Sequence, residues 1–256
     1  MNARNHQKLN GSGRPGSRTR FAARRQPRCS LCGKSRRGLF CGLSKSAQSV
    51  IDSERSVHVY EPGQMIFYEG NPPLAVYCIH SGKVKLYKTG EKGQRQLIRL
   101  LGPGDILGFR ALLANEAYAA SGEAIEPTTA CLIPGPTMNR LLRELPEVAF
   151  ALMAKLASEL RVSEDQMLTL LHYSARQRTA LLLISLTEGH SQQTSSGGLF
   201  KITSLRRSEM AQMIGVTPET MSRTLRDFAA QGLIELGPDS VTVINIAGLV
   251  KVSPKL

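Results

Sequence analysis

The hydrophobic period of this chain changes once, at Pro146, and that change limits the folds open to it. From about Val57 to Pro134 apolar residues alternate with polar ones over short runs, as in Lys83-Val84-Lys85-Leu86, the period of a half-buried strand. The tracts EPG, EGNPP, SG, TGEKG and GPGD interrupt those runs with the Gly and Pro that turns require. Many short strands between such turns suit a compact barrel or roll. From Pro146 the stretch PEVAFALMAKLASELRVSEDQMLTLLHYSARQR has no Gly and no internal Pro, and reads as one long helix. Along it Met153, Leu156, Leu160, Ser163, Met167, Leu170 and Ser174 recur at alternating three- and four-residue steps. That is the seam of a two-stranded coil, with a helix packed on its own domain as the alternative. A helix longer than the globular average favours the seam, and with it a homodimer.

A second, smaller unit follows Arg176. RRSEMAQMIGVTPETMSRTLRDFAAQGLIELGPDSVTVINI reads as two short helices joined at Gly215-Val216-Thr217, then two strands around Gly237-Pro238-Asp239. Thr217 suits an N-cap and Pro218 the first helical position. Helical spacing then places Met221, Leu225 and Phe228 on one face and Glu219, Ser222, Arg223 and Arg226 on the other. Helix, tight turn and a helix with a polar outer face make a helix-turn-helix, and the strands after it make a wing. A generic helical hairpin with a solvated face is the alternative.

The chain's 256 residues leave room for one large or two modest domains. Its net charge of +13 is unevenly spread. Twelve of its 33 Lys and Arg residues precede Ser46 and the first acid is Asp52, so the body is nearly balanced. Residues 1–28 are Gly-, Pro-, Ser- and Arg-rich with almost no apolar content, the composition of a disordered basic tail. Such a tail is a solvated extension or a nonspecific nucleic-acid tether, and it also resembles an organellar transit peptide. No apolar run is long enough to cross a membrane, and an odd number of cysteines, five, argues for a reduced cytoplasmic protein. Cys29, Cys32 and Cys41 fall within thirteen residues in this basic region, a spacing that fits a metal or cluster site, a redox pair, or chance. His6, His58, His80, His172 and His190 are scattered, none in a nucleophile motif, so an enzyme is not expected.

A roll, a long helix and a winged helix-turn-helix in that order resemble the CRP/FNR superfamily of bacterial transcription regulators. Two segments carry the resemblance: GVTPETMSRTLRDFAAQGLI, similar to its recognition helix, and EPGQMIFYEGNPPLAVYCIHSGKVKLY, similar to the opening strands of its effector domain. It implies an α+β chain with a cyclic-nucleotide-binding-like β-roll. The expected order is a tail (1–28), a Cys-rich sensor domain (29–145), a dimerisation helix (146–174) and a winged helix-turn-helix DNA-binding domain (175–250). It also implies DNA carrying an inverted repeat and RNA polymerase as partners. A small-ligand-binding module with no DNA role is the distant alternative.

Within that superfamily, the cyclic-nucleotide branch holds a phosphate with a Gly-Glu-Leu turn and a following Arg-Ser pair. Here GFRALLANEAYAASGEA puts Phe109 at the Glu position and has no Arg-Ser pair before Ala124, so cAMP is not expected. The oxygen-sensing FNR branch places three Cys before the roll and a fourth in a segment similar to TACLIP. The resemblance thus assigns Cys29, Cys32, Cys41 and Cys131 to a 4Fe–4S cluster that senses oxygen or redox state. This chain leaves eight residues between Cys32 and Cys41 where the family pattern leaves five. Basic neighbours such as Arg28, Lys34, Arg36 and Arg37 would favour thiolates. Zinc or a thiol switch remains open, as does haem, because Cys78 and His80 of CIHSG resemble a CO-sensing branch; otherwise they are a core residue and an ordinary polar one. For DNA, Glu219, Ser222 and Arg223 match the Glu-x-x-Ser-Arg pattern that reads TTGAT half-sites, with Arg226, Thr217 and Arg206 beside them. Arg206 stands where a capping, phosphate-touching Thr or Ser is usual, so it would keep the phosphate contact and lose the cap.

Overall fold

Two four-stranded antiparallel sheets build the roll, as the alternating runs predict. The computed structural model describes Cys29 and residues 38–91, 93–189, 192–193, 199–203 and 205–254. The first sheet runs β1 (Ser56–Tyr60), β8 (Thr128–Pro134), β3 (Ala75–Ser81), β6 (Ile106–Leu107). The second runs β2 (Met65–Phe67), β7 (Ser121–Ala124), β4 (Val84–Thr89), β5 (Arg95–Leu101).

β3 is buried on both faces, and its period of two sorts the side chains. Ala75, Tyr77 and Ile79 point into the roll with Phe67, Leu107 and Tyr118. Val76 and Cys78 point out of it, into a second core with Cys131, Ile133, Phe40 and Ile51. That outer core is covered by a 3-10 turn (Leu39–Gly42), α1 (Lys45–Glu54), α3 (Gly135–Glu144) and the start of α4 (Pro146–His172). The β3–β4 turn needs Gly82: its φ is +87°, and a Cβ there would stand 2.6 Å from the Pro127 carbonyl. A short helix, α2 (Phe109–Ala114), follows β6.

The expected single helix from Pro146 is two. α4 ends at His172, Tyr173 is extended (φ −108°, ψ 141°), and α5 (Ala175–Gly189) begins anew. Ser174 and Gln177 cause the break: the Ser174 hydroxyl accepts the Gln177 N–H at 3.3 Å, and Gln177 Oε1 accepts the Ser174 N–H at 3.0 Å. This is a reciprocal cap that starts a helix. Along α4, Met153, Leu160, Met167 and Leu170 are exposed, as are Phe150 and Leu171. Leu156 turns partly inward against the outer core, and Ser163 bonds back to the Glu159 carbonyl. Among the described residues no helix is long and apolar enough to cross a membrane.

The remaining unit comprises β9 (Gln192–Gln193), β10 (Phe200–Ile202), α6 (Arg207–Met213), α7 (Pro218–Ala230), β11 (Ile234–Leu236), β12 (Val241–Val243) and α8 (Ile246–Val252). Its sheet runs β11-β12-β10-β9, and Met210, Met221, Leu225 and Phe228 fill its core with Leu183 of α5. Leu97 and Leu100 of β5 belong to the same core, so roll and helix-turn-helix are packed together.

A cysteine site joined to a candidate nucleic-acid interface

β8 carries Cys131 on the outer face of the first sheet, in a row that reads Val57, Cys131, Cys78, Ile106 across β1, β8, β3 and β6. Cys29 packs against the same core. The two thiols meet around one ion pair. Arg55, just past α1, donates from Nε to Asp52 Oδ1 at 2.7 Å and from Nη1 to Cys131 Sγ at 3.5 Å. The same Asp52 oxygen accepts the Cys29 N–H at 2.8 Å.

Burial pushes the Cys29 thiol up to about 12, and the nearby Asp52 charge adds to the effect. Burial likewise raises Cys131, while the Arg55 charge and hydrogen bond pull the other way. Burial alone would raise the Asp52 carboxyl, but the Cys29 N–H and the Arg55 guanidinium overcome it and hold it below its ordinary value. His80 is half-buried, and burial and then Arg55 disfavour its charged form. Among the described residues the positive charge at the thiols is Arg55, which sequence reasoning missed; the expected Arg28, Lys34, Arg36 and Arg37 lie outside the described residues, as does Cys32.

Cys41 sits in the 3-10 turn. Its N–H bonds the Gly38 carbonyl at 3.0 Å, and its own carbonyl accepts Gln48 Nε2 of α1 at 3.0 Å. Among the described residues no three His, Cys, Asp or Glu side chains converge closely enough for a metal ion. Soft sulfur donors, an apolar wall of Phe40, Ile51 and Val57, and a buried guanidinium suit an anionic cluster. Cys78 lies directly opposite Cys131, buried in the core, and His80 stands two residues further along β3.

The cysteine region is tied to α4. Three residues after Cys41, Ser44 caps α1 and donates its N–H and hydroxyl to the two oxygens of Glu147, in the first turn of α4. At the other end, α4 reaches the helix-turn-helix: Leu170 Cδ2 would lie 3.2 Å from a Cβ at Gly215, whose φ of +64° makes the tight turn. Arg178 of α5 donates to the Ile214 carbonyl of that turn at 2.6 Å.

The two faces of α7 are as the spacing predicts. Met221, Leu225 and Phe228 are fully buried; Glu219, Arg223 and Arg226 are exposed and Ser222 is half-exposed. Thr217 caps the helix by accepting the Thr220 N–H at 3.2 Å. The Glu219 carboxyl is held below its usual range by its own backbone N–H at the helix start and by the Thr217 hydroxyl. Arg206 precedes α6 without a side-chain cap, and Glu209 replaces that cap by accepting the Arg206 N–H at 2.9 Å. The second oxygen of Glu209 takes Lys85 of β4 at 3.2 Å, and Gln212 accepts the Leu97 N–H at 3.0 Å. α6 is thus docked on the roll, a contact that local sequence patterns do not signal. Arg206, Arg207, Arg223 and Arg226 are left exposed around α6 and α7.

The roll interior is filled rather than hollowed at the expected phosphate turn. Phe109 is buried, but in the outer core with Cys131 and Ile133; inside the roll Tyr118 packs on Phe67 with ring centroids 4.4 Å apart, and its hydroxyl donates to the Ala75 carbonyl at 2.8 Å. Among the described residues no Lys or Arg is fully buried there to hold a phosphate.

Residues 57–144 match the cyclic nucleotide-binding domain family and residues 177–252 the Crp-like helix-turn-helix domain family. The chain is 35% identical to the cyclic AMP receptor protein of Thermus thermophilus over 84% of its own length and 96% of that protein's. It is 28% identical to the transcriptional activator protein FnrA of Stutzerimonas stutzeri, covering 89% and 93% of the two chains. Among solved structures it is similar to FixK2 from Bradyrhizobium japonicum, with a TM-score of 0.69 and 27% identity over 79% of this chain and 98% of that one.

Proposed function

The chain belongs to the CRP/FNR family of DNA-binding transcription regulators, and on that premise we propose that it is a homodimer that senses oxygen or redox state through a 4Fe–4S cluster held by Cys29, Cys32, Cys41 and Cys131. One observation carries the reading: Cys29 and Cys131, far apart in sequence, lie against the same buried Arg55–Asp52 pair. When bound, the cluster supplies an oxidant-labile link among those thiols. The protein's own residues do the rest. Gln48 holds the turn that carries Cys41, Ser44 joins that turn to Glu147, and α4 presents its apolar stripe to a second copy. Leu170 and Arg178 then set the helix-turn-helix against the end of that helix. Ligated and unligated thiols favour different placements of the N-terminal segment, which makes the α4 junction a two-state element.

In the DNA complex Arg223 pairs with guanine O6 and N7, Glu219 accepts from a cytosine amino group, and Ser222 adds the contact that selects TTGAT-type half-sites. Arg206, Thr217 and Arg226 serve the phosphate backbone. The relative's name mentions cyclic AMP, but the aromatic filling of the roll and the Phe109 position argue for a different signal here. The test is anaerobic purification with iron and sulfide analysis, an absorption spectrum, and binding to an inverted TTGAT duplex before and after air. Four irons and four sulfides per chain, lost in air together with DNA affinity, are expected. Stoichiometric zinc, a haem spectrum, or DNA binding that responds to cAMP and ignores air would overturn the reading.

A further inference from the structure

Among the described residues Arg55 is the one charged side chain buried at the cysteine site, and the proposed ligand set gives it no task. Its side chain is only 4% exposed. Burying a guanidinium is costly unless its donors are matched, and here they are directed. Nε is fixed on Asp52 Oδ1 at 2.7 Å, which aims Nη1 at Cys131 Sγ, 3.5 Å away. The same carboxylate oxygen holds the backbone N–H of Cys29 at 2.8 Å, so one atom registers the guanidinium against both thiols.

We propose that Arg55, braced by Asp52, is a positioning residue of the cysteine site that donates to the Cys131 sulfur and raises the reduction potential of the cluster bound there. This deepens the cluster reading and rests on it. Hydrogen bonds to cluster sulfurs and nearby charge are the protein's main levers on that potential. A fixed cation beside a ligating sulfur favours the more negative, reduced form, and a hydrogen bond to that sulfur acts in the same direction. Arginine suits the task because it stays charged throughout the working pH range and its planar fork serves Asp52 and the sulfur at once. Lysine carries the charge on a flexible stem and cannot hold both partners in fixed register.

The test uses the full chain, reconstituted anaerobically, in parent form and as Arg55→Gln, Arg55→Lys and Asp52→Asn. Iron and sulfide content is measured first, then the reduction potential by dye-mediated titration. Arg55→Gln is expected to shift the reduction equilibrium about tenfold toward the oxidised form, about 59 mV lower for one electron. Arg55→Lys should recover part of that shift, and Asp52→Asn, which removes a negative charge beside the retained guanidinium, should shift the potential the opposite way. Should Arg55→Gln lose the cluster through misfolding, Arg55→Lys and Asp52→Asn, which keep the cation, carry the measurement. Full cluster content with the parent potential in every variant overturns the role of Arg55 and leaves the cluster reading standing. A parent protein without iron and sulfide overturns the cluster reading, and this proposal with it.

Discussion

Ser44 donates to Glu147 twice, from its N–H to Oε2 at 3.0 Å and from its hydroxyl to Oε1 at 2.5 Å. The serine lies three residues past Cys41, and the glutamate lies in the first turn of the long helix. Whatever moves the cysteine segment therefore pulls on α4 at its root. Glu147→Ala is expected to leave iron and sulfide content intact and weaken DNA binding by the loaded protein about tenfold, within the range of ordinary coupling energies. Anisotropy titration on the duplex, with and without air, measures it; an unchanged response to air would remove the clamp from the signal path. The Ser44 hydroxyl and then its N–H hold the Glu147 carboxyl below its usual range. A depressed carboxylate contributes its stabilisation above its unfolded pKa, so the clamp is complete at neutral pH and is lost as pH falls through the depressed value.

Charge on the α4 stripe should separate the dimer. Leu160 is 62% and Met167 63% exposed, too much apolar surface on one helix for a protein expected to remain a monomer. Leu160→Glu or Met167→Glu places like charges face to face at a coiled seam. Sedimentation velocity should then report half the mass, with the monomer's circular dichroism near that of the parent. A dimer that survives both substitutions would move the interface elsewhere. Leu156 is the weaker test, because it also packs on the outer core of its own chain and its loss would confuse folding with assembly.

What could be read from the chain depended on how local the cause was. The strands of the roll and α7 were legible because each carries its own period, and Thr217 and Pro218 announce the helix start. The break at Tyr173 was not, since apolar residues run on from Leu171 through Ala180 and Leu182, and only the Ser174–Gln177 pair signals a restart. Arg55 at the end of a short polar helix reads as a solvated charge. Beside Asp52 of its own helix, it meets Cys29 and Cys131 arriving from two separate segments. Docking of Glu209 on Lys85 is equally nonlocal, and Lys85 on an alternating strand looks like any outward-facing residue.

Arg223 is exposed on the outer face of α7. Arg223→Ala is expected to cost about 1–3 kcal/mol on the TTGAT duplex and to relax discrimination at the guanine. Competition binding against single-base variants of the half-site distinguishes the roles. Uniform weakening across all sequences would make Arg223 a phosphate contact instead.

The cysteine row of the first sheet gives the sharpest test of the ligand set. Cys131 and Cys78 are direct neighbours across β8 and β3 and face the same core, so proximity alone does not choose between them. Arg55 does: its Nη1 is directed at Cys131, and Cys29 is registered on the same Asp52 oxygen. Cys131→Ser is therefore expected to lose iron and sulfide as completely as Cys29→Ser, Cys32→Ser or Cys41→Ser. Cys78→Ala should retain the full complement and lose only about 1 kcal/mol of stability, the cost of a small cavity in a packed core. Anaerobic reconstitution followed by iron and sulfide assay, with denaturant unfolding of the apo forms, measures both. Full cluster content in Cys131→Ser together with its loss in Cys78→Ala would transfer the fourth ligand one strand across the sheet, and would leave the Arg55 contact without a function.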